Sequence, residues 1–258
     1  MSRFPRSSLR LRQEAPVTFW LIALSVAASV WTWLGVSDVD AFFQTYGLVP
    51  SRFLGEFGVG QLLTLASSAF LHGGLLHLAF NAMMLYFLGR LVEPTLGSRR
   101  FAAVYALATV AAGLAQIAWD PSSEVPMVGA SGAISGVFGA ALVLAPQVRL
   151  LVMTPFTLFI PIAMKLRTFA LIWVGLQVAG LAFEDWLGGG IAYTAHLGGF
   201  AAGWLALAGV RSWVSLQRTA ARVAYAARVR YGPAPDPRFR TFYVTDRSGQ
   251  TFAFHEPA

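Results

Sequence analysis

The stretch that begins at Val125 reads VPMVGASGAISGVFGAALVLAPQV and ends at Val148. It carries no Asp, Glu, Lys or Arg, and it exceeds the roughly 20 apolar residues that a helix needs to cross a bilayer. Ser131 lies near its start, between Gly129 and Gly132. Polar side chains are costly inside lipid and tend to mark function there. The stretch therefore predicts a membrane helix with a candidate functional serine near one end.

Charge-free stretches recur along this chain of 258 residues, of which 56% are apolar and only 12% are charged. A soluble domain has about 25% charged residues. We predict six membrane-spanning helices, at residues 15–36, 72–91, 100–119, 129–146, 167–185 and 192–212. The stretch 150–164 is shorter and contains Pro155 and Pro161, so we expect a loop at the membrane interface. The predicted fold class is all-α, a polytopic six-helix bundle.

The basic residues predict the orientation of this bundle. If the N-terminus is cytoplasmic, 18 of the 19 Lys and Arg residues lie on the cytoplasmic side and only Arg52 lies outside. This asymmetry follows the positive-inside rule. We therefore expect a basic cytoplasmic N-terminus (1–14), a membrane domain (15–212) and a basic cytoplasmic tail (213–258). The expected location is a prokaryotic cell (inner) membrane.

Two segments outside the helices carry structural signals. Residues 37–71 are rich in aromatic side chains, which suit the membrane–water interface, so we expect a partly inserted outer loop between helices one and two. In the tail, Arg218, Arg222, Arg228 and Arg230 alternate with apolar residues, as in a helix that lies on anionic headgroups. The stretch 242–254 has a Ser-Gly turn at 248–249 and predicts a small hairpin.

Four polar side chains share one depth in the predicted bundle. His77 and Asn81 are four residues apart and so lie on one face of helix two. Helices two, four and six all enter from the outer side, and His77, Ser131 and His196 lie two to five residues inside their outer ends. At 1.5 Å per residue, these depths agree to within about 5 Å. A Ser–His pair inside the bilayer indicates a serine hydrolase.

Small residues favour close contact between the helices that carry Ser131 and His196, although each polar residue also has a simpler structural interpretation. Gly132 and Gly136 of helix four, with Gly199 and Gly203 of helix six, form stripes that let helix backbones approach closely in lipid. A serine in a membrane helix usually just bonds its own backbone, and Asn81 alone could simply join helices. The common depth of these polar residues favours a functional site over separate structural roles. Ser135 competes with Ser131 as nucleophile but lies four residues deeper.

The motifs in this order resemble those of the rhomboid intramembrane serine proteases, over about residues 60–210. The matching motifs are His72-x4-His77-x3-Asn81, Gly89-x3-Glu93-x3-Gly97, Gly129-x-Ser131-Gly132 and Ala195-His196-Leu197-Gly198-Gly199. The resemblance implies that Ser131 is the nucleophile and His196 the general base and acid, without an acidic third member. It also implies that His77, Asn81 and the Ser131 backbone N–H bind the oxyanion. Structural roles near the site fall to His72, Gly129, Gly132, Ser135, Gly199 and Glu93.

Two positions depart from the family pattern. Many members carry Trp-Arg in the outer loop, where this chain has Gly60-Gln61. Many also carry an aromatic residue four positions after the nucleophile, stacked on the histidine, and that position is Ser135 here. We therefore expect the orientation of His196 to depend on packing against Gly199 and on a hydrogen bond from Ser135.

The predicted activity is endopeptidase cleavage of transmembrane helices in membrane-protein substrates near the outer face. No metal or organic cofactor is expected, and no nucleic-acid partner, because the arginines flank apolar helices. The chain lacks His-Glu-x-x-His, cysteine and any aspartate inside a predicted helix, which argues against zinc, cysteine and aspartyl proteases. The alternatives are a non-catalytic rhomboid-like protein that binds and escorts membrane helices and, third, a transporter. The sequence leaves the oligomeric state and the physiological substrate open.

Overall fold

The computed structural model of the chain describes residues 8–152, 162–187, 190–209, 239–245 and 250–257. The chain divides into two compact units, Met1–Val210 and Arg211–Ala258. The first unit contains all of the described helices and the whole candidate site.

The first unit is mainly helical. Its helices are α1 (Ser8–Glu14), α2 (Pro16–Gly35), α3 (Val39–Tyr46), α4 (Pro50–Gly55), α5 (Val59–Ser67), α6 (Leu75–Leu96), α7 (Ser98–Trp119), α8 (Ser131–Leu144), α9 (Leu166–Ala182), α10 (Glu184–Leu187) and α11, described over residues 193–209. A 3-10 turn covers Ser68–Phe70, and β1 (Arg149–Val152) pairs antiparallel with β2 (Ile162–Lys165). The second unit contains the hairpin of β3 (Phe239–Thr245) and β4 (Thr251–Pro257).

All six predicted helices correspond to described helices, namely α2, α6, α7, α8, α9 and α11. The largest difference is in α6, which was predicted over 72–91 and runs from Leu75 to Leu96. It starts later because Gly73 and Gly74 precede it, and glycine is unfavourable in a helix. It ends at Gly97, whose φ of 79° is a left-handed conformation that stops a helix cheaply only at glycine.

The length of the helices indicates an integral membrane protein. Helices α2, α6 and α7, with 20, 22 and 22 residues, are long and apolar enough to cross a bilayer. Helices α8 and α9 are apolar but shorter, with 14 and 17 residues. Large apolar side chains such as Trp31, Leu34 and Leu171 are exposed on the helix surfaces, as expected for a lipid-facing exterior. The count of six spans stays a prediction.

Helix α8 lies at the centre of the bundle. Every residue from Gly132 to Ala141 is buried, which no other described helix matches over ten consecutive positions. The backbone of α11 lies directly against it: a Cβ placed on Gly203 would meet the Gly136 carbonyl oxygen at 1.9 Å. The small-residue contact predicted between these two helices is therefore confirmed, and it is too close for any side chain larger than hydrogen.

The segment between α2 and α6 is ordered into short helices rather than an irregular loop. The Asp38 side chain accepts a hydrogen bond from the Ala41 N–H at 2.9 Å and caps α3. Leu48 pairs with Met127 in an isolated antiparallel bridge, which ties this segment to the strand-like residues that precede α8. The Gly129 N–H also donates to the Ser68 carbonyl oxygen at 2.8 Å. This segment therefore positions the start of α8.

Glu93 organises the opposite end of α6. Its carboxylate is 1% exposed and accepts four hydrogen bonds, from the Val17 N–H at 2.9 Å, the Thr18 N–H and hydroxyl at 2.8 Å each, and the Ser98 hydroxyl at 2.7 Å. Because the first N–H groups of a helix have no helical partner, the carboxylate satisfies two donors at the start of α2. This position fits the structural role implied for Glu93.

Two hairpins make the all-α expectation too narrow. Residues 149–152 and 162–165 pair as antiparallel strands where an interface loop was expected, because the ladder satisfies backbone groups that a loop would leave open. The tail hairpin predicted around 242–254 is confirmed by the pairing of β3 with β4. The basic helix predicted in the tail, the turn at 248–249 and both prolines of the interface loop lie outside the described residues.

Candidate active site

The structure brings Ser131 and His196 into direct contact. Ser131 is the first residue of α8, and His196 lies in the first turn of α11. The Ser131 Oγ and His196 Nε2 atoms are 2.8 Å apart, which is hydrogen-bond distance. For the imidazole to accept the serine proton, its Nε2 must carry a lone pair, and its proton must then be on Nδ1.

The second nitrogen of His196 has a partner that the sequence analysis missed. The Nδ1 atom lies 2.7 Å from the Gln177 Oε1 on α9. One turn earlier on the same helix face, the Trp173 ring lies 6.1 Å from the imidazole ring, at an interplanar angle of 36°. The spacing of four between an aromatic and a polar residue in an apolar helix was the available signal for this face.

The expected hydrogen bond from Ser135 to His196 was wrong. The Ser135 hydroxyl instead donates to the Ser131 carbonyl oxygen at 2.7 Å, the ordinary bond of a serine to the helix turn before it. Gly199 does pack at the site, but its contact is with the Gly132 backbone, and a Cβ there would meet the Gly132 carbonyl oxygen at 2.0 Å. Gly199 therefore brings α11 close to α8, while the imidazole contacts come from α9.

The predicted oxyanion residues lie beside the Ser–His pair. His77 and Asn81 of α6 line the same cavity as Ser131 and His196. The Asn81 Nδ2 donates to the His77 carbonyl oxygen at 2.8 Å, which leaves the second N–H of the amide for another acceptor. The backbone N–H of Ser131 is in the first turn of α8 and so has no partner within the helix. Three possible donors therefore line the cavity that contains the Ser–His pair.

Gly129 allows the His77 ring to approach the start of α8. Its φ is 122°, a conformation that side chains rarely adopt, and a Cβ there would stand 2.7 Å from both Cε1 and Nε2 of His77. Any larger residue would strain the backbone and displace the ring. Gly129 is therefore a packing requirement of the site, as the resemblance implies.

His72 lies behind the site rather than in it. Its side chain is fully buried, with Nδ1 at 3.2 Å from the Ser29 Oγ and 3.3 Å from the Phe70 carbonyl oxygen. The Trp33 indole N–H donates to its carbonyl oxygen at 3.1 Å, and its ring is 5.1 Å from that of His77. These contacts join α2 to the residues before α6, which suits the structural role implied for His72.

The Ser–His pair opens into a large cavity of about 1000 Å³. Its walls come from α6, α7, α8, α11 and the extended residues that precede α8, and its lining includes Asp120 and Glu184. A second cavity of about 140 Å³, walled by α6, α8 and α9, also reaches Ser131 and His196. The volume of the large cavity is at the upper end of the range of ligand-binding cavities, about 300–1,000 Å³. Among the described residues, no group of three His, Cys, Asp or Glu side chains is arranged to hold a metal ion.

Comparison with known proteins gives one consistent result. The Rhomboid domain family model matches residues 59–213. Rhomboid protease GluP of Bacillus subtilis (strain 168) is 32% identical over 149 residues, which are 58% of this chain and 26% of that protein. RHOMBOID-like protein 5 of Arabidopsis thaliana is 34% identical over 145 residues, 56% of this chain and 42% of that protein. Rhomboid protease GlpG of Serratia proteamaculans (strain 568) is 29% identical over 199 residues, 76% of this chain and 63% of that protein.

The chain spans less than two thirds of the length of each of these relatives. The family match nevertheless covers more than half of the chain and includes every residue of the candidate site. On this match, with apolar helices and a half-buried Ser–His contact of the expected kind, the chain belongs to the rhomboid family.

Proposed function

We propose that the protein is an intramembrane serine endopeptidase that cleaves transmembrane helices of membrane-protein substrates near the outer face. The observation that carries this proposal is the 2.8 Å contact between the Ser131 hydroxyl and the His196 Nε2. A serine that only serves packing commonly bonds its own helix, as Ser135 does, whereas the Ser131 hydroxyl meets a histidine on another helix. Two of the compared relatives are named as proteases, which supports the same activity.

In this mechanism Ser131 and His196 share the proton transfers. The Ser131 Oγ attacks the carbonyl carbon of the scissile peptide while His196 Nε2 takes the hydroxyl proton. His196 then gives that proton to the departing amine nitrogen as the C–N bond breaks and an acyl-enzyme remains. A water molecule, deprotonated by His196, attacks the ester carbonyl, and the proton returns to Ser131 as the new carboxyl product leaves.

The negative charge on the carbonyl oxygen is stabilised by donors held in place before the reaction. The donors proposed for this role are His77, the second N–H of Asn81 and the Ser131 backbone N–H, which belong to residues that line the same cavity. The Ser131 N–H also lies at the positive end of the α8 dipole. Loss of one such donor costs roughly 3 kcal/mol in soluble proteases. These groups carry more of the catalysis here because, among the described residues, no carboxylate bonds the histidine.

The proposed substrate is a membrane helix that unwinds locally at its outer end. The site lies at the start of α8, at the end of the bundle opposite Glu93. In the proposed topology of six spans with both termini cytoplasmic, this end faces outward, in a prokaryotic inner membrane. A helical peptide hides its carbonyl groups in its own hydrogen bonds, so small or helix-breaking residues are expected around the scissile bond.

Cleavage of a model single-span substrate in liposomes tests the proposal. Wild-type protein is compared with Ser131→Ala, His196→Ala and Ser135→Ala, and the products are located by mass spectrometry. Cleavage within or beside the membrane segment, lost in the first two variants and kept in the third, is expected. Cleavage that survives Ser131→Ala would refute the assigned nucleophile. Substrate that binds to the wild-type protein without any cleavage would favour the escort alternative.

A further inference from the structure

We propose that Gln177 is a positioning residue that sets the tautomer of His196 and so acts as a neutral third member beside the Ser–His pair. This inference rests on the proposed protease function. Gln177 lies on α9, is 9% exposed, and places its Oε1 2.7 Å from the His196 Nδ1. It touches neither the cavity nor the serine, so it acts only through the histidine.

The chemistry of the carboxamide oxygen determines the tautomer. An amide oxygen accepts hydrogen bonds and cannot donate them, so the proton of the 2.7 Å contact belongs to His196 Nδ1. The Nε2 atom of the same ring then carries a lone pair, directed at the Ser131 hydroxyl at 2.8 Å. Bound in this way, His196 is already in the one neutral form that can remove the serine proton.

The neutral charge of Gln177 separates this arrangement from a Ser–His–Asp triad. A carboxylate both orients the imidazole and stabilises the imidazolium that forms during the reaction. A carboxamide orients the ring and selects the tautomer, but it adds no full charge to stabilise the cation. We therefore expect Gln177 to raise the fraction of His196 that is protonated on Nδ1 without making the histidine a stronger base.

Helix α9 also supplies the ring that packs on His196. Trp173 lies one turn before Gln177 and is 6.1 Å from the imidazole, while Ser135 has no ring to offer. Trp173 is itself held by Phe138 of α8 at 5.4 Å and Phe200 of α11 at 5.6 Å. This aromatic cluster fixes the rotation of α9, which directs the Gln177 side chain at the histidine rather than at lipid.

The decisive variant removes the acceptor and keeps the volume. In Gln177→Leu, nothing selects Nδ1–H, and the ring populates the tautomer whose Nε2 carries the proton and cannot act as base. We expect kcat to fall about tenfold, the worth of one buried hydrogen bond, with KM unchanged because Gln177 does not line the cavity. Gln177→Glu keeps an acceptor at this position and should restore kcat to at least the wild-type value. Gln13→Leu, the same substitution on the exposed face of α1, is the control and should leave kcat unchanged.

Two readouts on the whole chain in liposomes separate this inference from the proposed function. The first is the rate at which a fluorophosphonate probe labels Ser131, which requires the Ser–His contact but no peptide cleavage. The second is 15N NMR of histidine-labelled protein, with the His196 signals assigned by their loss in His196→Ala. Wild-type His196 should be protonated on Nδ1, and Gln177→Leu should shift it towards the Nε2-protonated form.

The outcomes are distinct. If no substrate is cleaved but the Nδ1 tautomer is found and lost in Gln177→Leu, the proposed protease function fails and the positioning role stands. If wild-type His196 is protonated on Nε2, Gln177 donates its amide N–H instead and the positioning role is overturned, even without any variant. The role is equally overturned if Gln177→Leu labels and cleaves at the wild-type rate, or if Gln177→Glu is as impaired as Gln177→Leu.

Discussion

Gly199→Ala tests whether the backbone contact between α11 and α8 holds the Ser–His pair together. The new Cβ would stand 2.0 Å from the Gly132 carbonyl oxygen, whereas real Cβ contacts are essentially never under 3.0 Å. Neither partner is a flexible side chain that could turn away, so the two helices must separate by about 1 Å. Gly132 follows Ser131 directly, and His196 lies one turn before Gly199.

Such a separation acts directly on the catalytic hydrogen bond. Opening the 2.8 Å distance between Ser131 Oγ and His196 Nε2 by about 1 Å takes it past the hydrogen-bond limit. A misplacement of this size costs about 100-fold in kcat. The variant should also lose stability, because overpacking against rigid backbone costs up to about 3 kcal/mol, against a gain of about 1 kcal/mol from alanine in a helix.

The assay is liposome cleavage of a single-span substrate at a temperature well below the thermal midpoints of all variants. Gly209→Ala is the matched control, since Gly209 lies on the same helix and is exposed, and no described atom outside its own helix backbone lies within 4 Å of the position that a Cβ would take. It should cleave as wild type and be at least as stable. Equal activity in Gly199→Ala and Gly209→Ala would refute the view that this contact positions the histidine.

Three further predictions concern single polar groups. Glu93→Ala leaves four donors without their acceptor and should lower the free energy of unfolding by about 3 kcal/mol or more, measured by denaturation in detergent. A change below about 1 kcal/mol would contradict the structural role of Glu93. Asn81→Leu should lower kcat about 100-fold with little change in KM, because an oxyanion donor acts mainly in the transition state. A rise in KM alone would show that Asn81 binds the substrate rather than the oxyanion. Ser135→Ala should keep kcat within about threefold in the cleavage assay. The substitution removes only a hydrogen bond to the Ser131 carbonyl oxygen, which is worth about 1 kcal/mol. Full loss of cleavage would identify Ser135 as the nucleophile.

The helices were readable from the sequence because lipid imposes a simple rule. A membrane segment must satisfy its backbone internally and avoid charge, so charge-free stretches correspond to α2, α6, α7, α8, α9 and α11. The details at their ends were less readable. The later start of α6 depends on Gly73 and Gly74, and the hairpin of β1 and β2 formed where proline suggested only a loop. Local strand pairing of so few residues leaves little pattern in a sequence.

The candidate site was readable only in part. Ser131, His196, His77 and Asn81 could be grouped because depth along a helix follows from counting residues inward from its end. The two sets of glycines predicted the close approach of α8 and α11, which the contact between Gly199 and the Gly132 carbonyl confirms.

The sequence by itself determined which side chains share a depth, since that depends on position along each helix. Only the tertiary structure decided which groups face His196, since that depends on how each helix is rotated about its axis. The rotation of α9 follows from the packing of Trp173 between Phe138 and Phe200, contacts between residues far apart in the chain. That packing directs Gln177 at the imidazole and leaves Ser135, the residue expected there, bonded to its own helix.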